Sequence, residues 1–129
     1  MTALNCNGDP PGKGILVDLS PLKGMHLVRL DVNGTRVSDL SPLKGMPLLT
    51  LGCARTNISD LSPLQEMKLH FLNCMFTQVS DLSPLKEMPL KDLGCDFSPE
   101  RDNEILGSIK TLLTINGKSA TELLNTAIQ

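Results

Sequence analysis

Asp39-Leu40-Ser41-Pro42-Leu43 occurs four times in this chain, beginning at Asp18, Asp39, Asp60 and Asp81, so each copy follows the last by 21 residues. A fixed period of about 20–50 residues marks a solenoid, in which each unit stacks on the next. Working outward from the pentapeptide, apolar residues recur at constant phase. The columns are Leu19, Leu40, Leu61, Leu82; Leu22, Leu43, Leu64, Leu85; and Met25, Met46, Met67, Met88. Then come Leu27, Leu48, Leu69, Leu90; Leu30, Leu51, Leu72, Leu93; Val32, Cys53, Cys74, Cys95; and Val37, Ile58, Val79. One unit alone cannot bury seven such positions, whereas stacked units bury them as a continuous core.

The unit has a local logic. Leu51 and Cys53 alternate with Thr50, Gly52 and Ala54, the period of a strand, which predicts one short strand per coil in a parallel sheet. Ser41-Pro42 predicts a helix start, with Ser as the cap and Pro in the first turn. Only about two turns fit before the next strand, so a short or 3₁₀ helix is expected. The Thr35, Thr56, Thr77, Ser98 column is expected to bond backbone groups of the adjacent coil. The Asp18, Asp39, Asp60, Asp81 column stacks like charges at about the 5 Å strand spacing, which requires exposure to solvent or bonds from backbone N–H groups.

Leu48-x-x-Leu51-x-Cys53-x-x-Thr56-x-Ile58 resembles the leucine-rich repeat, with Thr in the usual Asn or Cys place. Ser59-Asp60-Leu61-Ser62-Pro63-Leu64 resembles the internalin-like branch, whose convex side carries short helices. The chain is also similar to large bacterial leucine-rich-repeat proteins, some of which carry a serine/threonine kinase. The resemblance runs over about residues 16–118. It implies an α/β solenoid: a parallel sheet on the concave face, short or 3₁₀ helices on the convex face, and a helical C-terminal cap. The expected layout is a single domain over 1–129. Residues 1–17 form an incomplete first coil, 18–101 four repeats and 102–129 the cap.

The net charge is −2, with Lys and Arg scattered, so no basic stripe points to nucleic acid. No apolar run is long enough to span a membrane. Met1-Thr2-Ala3-Leu4-Asn5-Cys6 has no basic segment or long apolar core, so no signal peptide is visible and a cytoplasmic location is favoured. Cys53, Cys74 and Cys95 form a column that Cys6 extends, read as a buried apolar ladder of reduced thiols. A straight ladder cannot present four tetrahedral ligands, so neither metal nor cofactor is expected. Leu4-Asn5-Cys6 fits the strand phase and is followed by the Pro/Gly loop Gly8–Gly14. The first coil would then leave an open sheet edge, at which the expectation is either a continuation upstream in a parent protein or pairing with another molecule, self-association included.

By strand alternation, outward positions are Arg29, Asp31, Asn33 and Gly34; Thr50, Gly52, Ala54 and Arg55; Phe71, Asn73, Met75 and Phe76; and Asp92, Gly94, Asp96 and Phe97. Phe71, Met75 and Phe76 stand where polar residues belong, and Phe97 is expected beside Phe76. Exposed aromatic and Met side chains are common interface anchors. The candidate partner-binding residues are therefore Phe71, Met75, Phe76 and Phe97, with Arg29, Arg55, Asp92 and Asp96 around them. Ser98-Pro99-Glu100 predicts a helix, Leu112–Asn116 a final strand with Ile115 in the Leu93 phase, and Ser119-x-x-Glu122 a capping box opening a last helix. Acids and bases recur as columns and do not converge, so no enzyme is expected. The leading function is a non-catalytic module binding a protein partner through the concave face. The alternative is a structural or regulatory segment of a larger protein such as a serine/threonine kinase. No glycine-rich phosphate loop, His-Arg-Asp or Asp-Phe-Gly triplet lies in this chain.

Overall fold

The computed structural model describes residues 3–5 and 18–128. Because the apolar residues recur every 21 positions, only stacking buries them, and the strands stack accordingly. β1 (Ala3–Asn5), β2 (Arg29–Asp31), β3 (Thr50–Gly52), β4 (Phe71–Asn73) and β5 (Asp92–Gly94) lie side by side, in parallel and in chain order. The period sets the register: Leu30 pairs with Leu51, Leu51 with Leu72, and Leu72 with Leu93. Leu4 pairs with Leu30, in the phase expected for it. Cys6 and the Pro/Gly loop lie outside the described residues.

Backbone bonds between coils continue past the strands. Val32 N–H donates to Gly52 C=O at 2.7 Å, Cys53 to Asn73 at 2.8 Å, and Cys74 to Gly94 at 2.7 Å. The apolar columns fill the interior; all seven are buried in the second and third units, and the six that the fourth unit has are buried too. In the first unit Leu22 and Met25 are half-buried against the same core.

Each pentapeptide makes one 3₁₀ turn, at Ser20–Leu22, Ser41–Leu43, Ser62–Leu64 and Ser83–Leu85. The cap differs from the expected one. Ser sits inside the turn, so its hydroxyl cannot reach the following N–H groups. The carboxylate two residues earlier accepts the Ser N–H instead, at 2.9, 2.8, 2.9 and 2.9 Å from Asp18 to Asp81. The Ser hydroxyl donates back to that carboxylate, at 2.8 Å in Ser20 and 3.0 Å in Ser62. These Ser N–H and hydroxyl donors hold the Asp18, Asp39 and Asp81 carboxyls below the ordinary range. Exposure and donated bonds together make the acidic column tolerable.

After each turn the chain reverses. Gly24 (φ 84°) and Gly45 (φ 81°) take the left-handed conformation, and Glu66 (φ 73°) takes it in the same column. Glutamate has a Cβ that disfavours this region, so Glu66 is strained where the glycines are not.

The C-terminal end is closed. α1 (Pro99–Gly107) starts where Ser98-Pro99 predicts a helix. β6 (Thr114–Ile115) extends the sheet with Ile115 opposite Leu93. The chain then turns through Asn116 (φ 55°) and Gly117 (φ 80°) into β7 (Lys118–Ser119), which pairs antiparallel with β6. The sequence pattern, which places a final strand at Leu112–Asn116, does not predict this hairpin. α2 (Ala120–Ile128) follows, and Glu122 N–H reaches Ser119 Oγ at 3.5 Å, one half of the expected capping box. α1 and α2 pack together, while Leu106, Ile109, Leu112 and Ala120 complete the core. Among the described residues no helix is long and apolar enough to cross a membrane.

Candidate functional site

The strand face is built in rows. Arg29, Thr50, Phe71, Asp92 and Thr114 are in register across five strands, as are Asp31, Gly52, Asn73 and Gly94 across four. Just beyond the strands come Asn33, Ala54, Met75 and Asp96, then Gly34, Arg55 and Phe76. Phe71 is 37% exposed and Phe76 59%, so two of the predicted anchors face solvent. Met75 is half-buried beside them. The Arg55 guanidinium lies 4.9 Å from the centre of the Phe76 ring, a cation–π contact between adjacent coils. Gly34 (φ 76°), Arg55 (φ 57°) and Phe76 (φ 58°) share one left-handed conformation, which swings these residues out of the strand.

Phe97 does not continue that column. It is half-buried and packs against the core. The cause lies one residue earlier. Gly34 N–H donates to Ala54 C=O and Arg55 N–H to Met75 C=O, both at 2.9 Å. Phe76 N–H donates instead to the Asp96 carboxylate, Oδ1, at 3.0 Å, and Thr77 N–H to Oδ2 at 3.3 Å. The Asp96 C=O thereby becomes free to accept Arg101 Nη2 at 2.7 Å. Asp96 thus ties two coils and the cap together.

The other charged candidates also have partners within the chain. Arg29 Nε donates to Asp31 Oδ2 at 3.0 Å, and Thr114 Oγ1 donates to Asp92 Oδ1 at 2.7 Å. Asp31 and Ala54 were expected outward but are each only 8% exposed. Gly52 lets neighbouring side chains lie flat: a Cβ there would stand 2.7 Å from Asp31 Oδ1 and 2.8 Å from Asn33 Nδ2. Gly94 repeats the device two coils on, with Asn73 Oδ1 2.7 Å from where a Cβ would be. The result there is a depression of about 310 Å³, walled by Phe71, Asn73 and Met75 on one side and Thr114, Asn116 and Gly117 on the other, with Asp92 and Gly94 between.

Two internalins of known structure from Listeria monocytogenes share this architecture. Internalin InlF superposes with a TM-score of 0.69 at 28% sequence identity, over 81% of this chain and 32% of that one. Internalin C2 superposes with a TM-score of 0.74 at 24% identity, over 89% of this chain and 50% of that one. This chain is a leucine-rich-repeat solenoid. It spans about a third of the first internalin chain and half of the second. No protein-family model and no curated protein matches the sequence.

Within this leucine-rich-repeat frame the Thr column behaves differently from expectation. Thr35, Thr56 and Thr77 donate to the carbonyls of Val32, Cys53 and Cys74 in their own coil, at 2.7, 2.8 and 2.8 Å. A hydroxyl three residues past a carbonyl closes a local turn without crossing to another coil. Side-chain links between coils come from Asn33, whose Oδ1 accepts Ala54 N–H at 2.8 Å, and from Asn116, whose Oδ1 accepts Cys95 N–H at 2.9 Å.

Sequence reasoning missed Asp102, which is fully buried where the last repeat meets the cap. Arg101 grips it with Nε on Oδ1 and Nη2 on Oδ2, both at 2.7 Å, and Ser98 N–H donates to Oδ2 at 2.9 Å. The available signal was the spacing of a carboxylate four residues after Ser98. Cys53, Cys74 and Cys95 are free and buried. Burial pushes the Cys53 and Cys95 thiols up to about 12, and Asp102 and Asp96 add to the effect at Cys95; burial raises Cys74 well above its ordinary value. Such thiols are protonated and unreactive near neutral pH. Among the described residues no group of three or more His, Cys, Asp or Glu side chains is disposed to hold a metal ion.

Proposed function

We propose that this chain is a non-catalytic module that binds a protein partner through the strand face of its solenoid. The anchors are Phe71 and Phe76. Met75 and Phe97 lie at their edge, and Arg29, Arg55, Asp92 and Asp96 form the polar surroundings. One observation carries the reading: the third coil holds two aromatic rings in solvent, one with a guanidinium stacked on it, at positions where the second coil carries Thr50 and Arg55. Folding gains nothing from the part of each ring left in solvent, 37% of Phe71 and 59% of Phe76. A partner that covered them would gain about 2 kcal/mol or more from each as a central anchor.

The test pairs Phe71→Ser with Phe76→Asn, the latter because Asn tolerates the left-handed backbone. A partner is captured with the whole chain by photo-crosslinking from the strand face, purified, and titrated against both forms. The reading expects the double variant to bind at least about 100-fold more weakly, at a matched melting temperature. Unchanged affinity refutes it. The competing reading, a structural or regulatory segment of a larger protein such as a serine/threonine kinase, expects no loss from the double substitution.

A further inference from the structure

We infer that the depression beside Asp92 receives one basic side chain, arginine or lysine, from the protein partner. This rests on the strand face being the binding surface and names the chemistry of its anchor. Three features of the depression point the same way.

Its size suits a single long side chain. At about 310 Å³ it stands at the lower limit of small-molecule sites.

Its charge has one sign. Asp92 is the one ionisable residue among those lining it, and no Lys, Arg or His is present. One Asp92 oxygen is committed to the Thr114 hydroxyl at 2.7 Å, while the other accepts no hydrogen bond from the described residues. The Thr114 bond fixes the carboxylate in place, so little ordering remains when a cation arrives.

Its walls fit the stem of a basic side chain. Phe71 stands opposite Asp92 in register, one strand away, with Met75 close by, and Gly94 keeps the floor open. Lys and Arg lay their methylenes on such apolar surface and present the charge at the tip. An aromatic face beside a carboxylate is attractive to a cation on both counts. The chain already makes each of these contacts internally, Arg55 on Phe76 and Arg101 on Asp102.

The experiment follows backbone amide shifts of the whole ¹⁵N-labelled chain during titration with N-acetyl-arginine amide, N-acetyl-lysine amide and N-acetyl-citrulline amide. Citrulline has nearly the shape of arginine without its charge. The two basic probes are expected to shift the Gly94, Thr114 and Asn116 amides with dissociation constants on the order of millimolar. Citrulline leaves them in place. Asp92→Asn, which keeps an acceptor for Thr114, weakens the basic probes by about tenfold, and added salt weakens them further. Equal shifts with citrulline, an unchanged titration in Asp92→Asn, or no shift at those amides overturns the inference.

The same variant separates the two proposals. If Asp92→Asn binds the captured partner normally while the Phe71/Phe76 double variant does not, the basic anchor fails and the strand-face reading stands. If the basic probes bind as expected but the double variant retains the partner, the strand-face reading fails, and the depression stands only as a site for a basic group, not as the partner's anchor.

Discussion

Gly52→Ala adds one methyl group and challenges the packing of two adjacent coils. The new Cβ would stand 2.7 Å from Asp31 Oδ1, 2.8 Å from Asn33 Nδ2 and 3.1 Å from Asn33 Oδ1. Both side chains belong to the coil before and must move. Asn33 Oδ1 accepts Ala54 N–H at 2.8 Å, and that N–H lies in a buried residue. Losing its acceptor costs about 1–3 kcal/mol. Loosening the Arg29–Asp31 pair adds well under about 1 kcal/mol, since the arginine side chain is 61% exposed. Against this, alanine costs less backbone entropy than glycine by about 0.5–1 kcal/mol. The net is a destabilisation of about 1–2 kcal/mol, a fall in melting temperature of roughly 3–8 °C for a chain of this size. Urea unfolding of Gly52→Ala, Asn33→Ala and the double variant reads it directly. With Asn33 already truncated, the added methyl has less to displace, so the double variant is expected to lose clearly less than the sum of the single losses. A neutral or stabilising Gly52→Ala, or strict additivity in the cycle, refutes the reasoning.

The raised thiols predict an alkaline loss of stability. A group with a folded pKa above its unfolded value contributes fully below the unfolded value, near 9, and its contribution fades as pH rises towards about 12. Each thiol that stays protonated in the fold while ionising in the unfolded chain contributes a slope approaching about 1.4 kcal/mol per pH unit. Urea midpoints measured above about pH 9 check the slope, and iodoacetamide should label Cys53, Cys74 and Cys95 only after unfolding. Glu66→Gly should stabilise the fold by about 0.5–1 kcal/mol, the left-handed strain of about 1–2 kcal/mol less the entropy cost of glycine, and calorimetry would show a higher melting temperature. At the cap junction, Arg101→Ala should cost more than Asp102→Ala. The first strands a fully buried carboxylate, at about 3–5 kcal/mol, whereas the second leaves a guanidinium whose side chain is already 39% exposed; chemical denaturation of the two variants gives the order.

The period made most of the fold legible. Once letters 21 apart become neighbours, the Leu51 row, the thiol ladder and the phase of Ile115 follow without further assumption. The details that escaped were choices between partners of similar reach. A Thr56 hydroxyl can meet a carbonyl in its own coil as readily as one in the next, and the unit does not say which. Ser41 falls inside its turn because Asp39 is the better acceptor for the free N–H, and both residues are favoured caps. Phe97 was misplaced because the repeat ends there. With no identical coil to follow, the Asp96 carboxylate replaced the backbone carbonyl and Arg101 took the carbonyl. Asp102 was hard to pick out because Glu100-Arg101-Asp102-Asn103-Glu104 is uniformly polar, and its spacing from Ser98 is the one clue to which residue turns inward. Of the candidate site, Phe71 and Phe76 were legible as apolar letters at outward phase. The depression was not, because it depends on what Gly94 leaves unfilled.

The account rests on coils stacked in a fixed register, and trans-hydrogen-bond couplings in a long-range HNCO experiment measure that register bond by bond. Cross-peaks are predicted from Val32 N to the Gly52 carbonyl carbon, from Cys53 N to that of Asn73, and from Cys74 N to that of Gly94. Correlations shifted by even one residue, or none at all beside well-resolved amide signals, would contradict it.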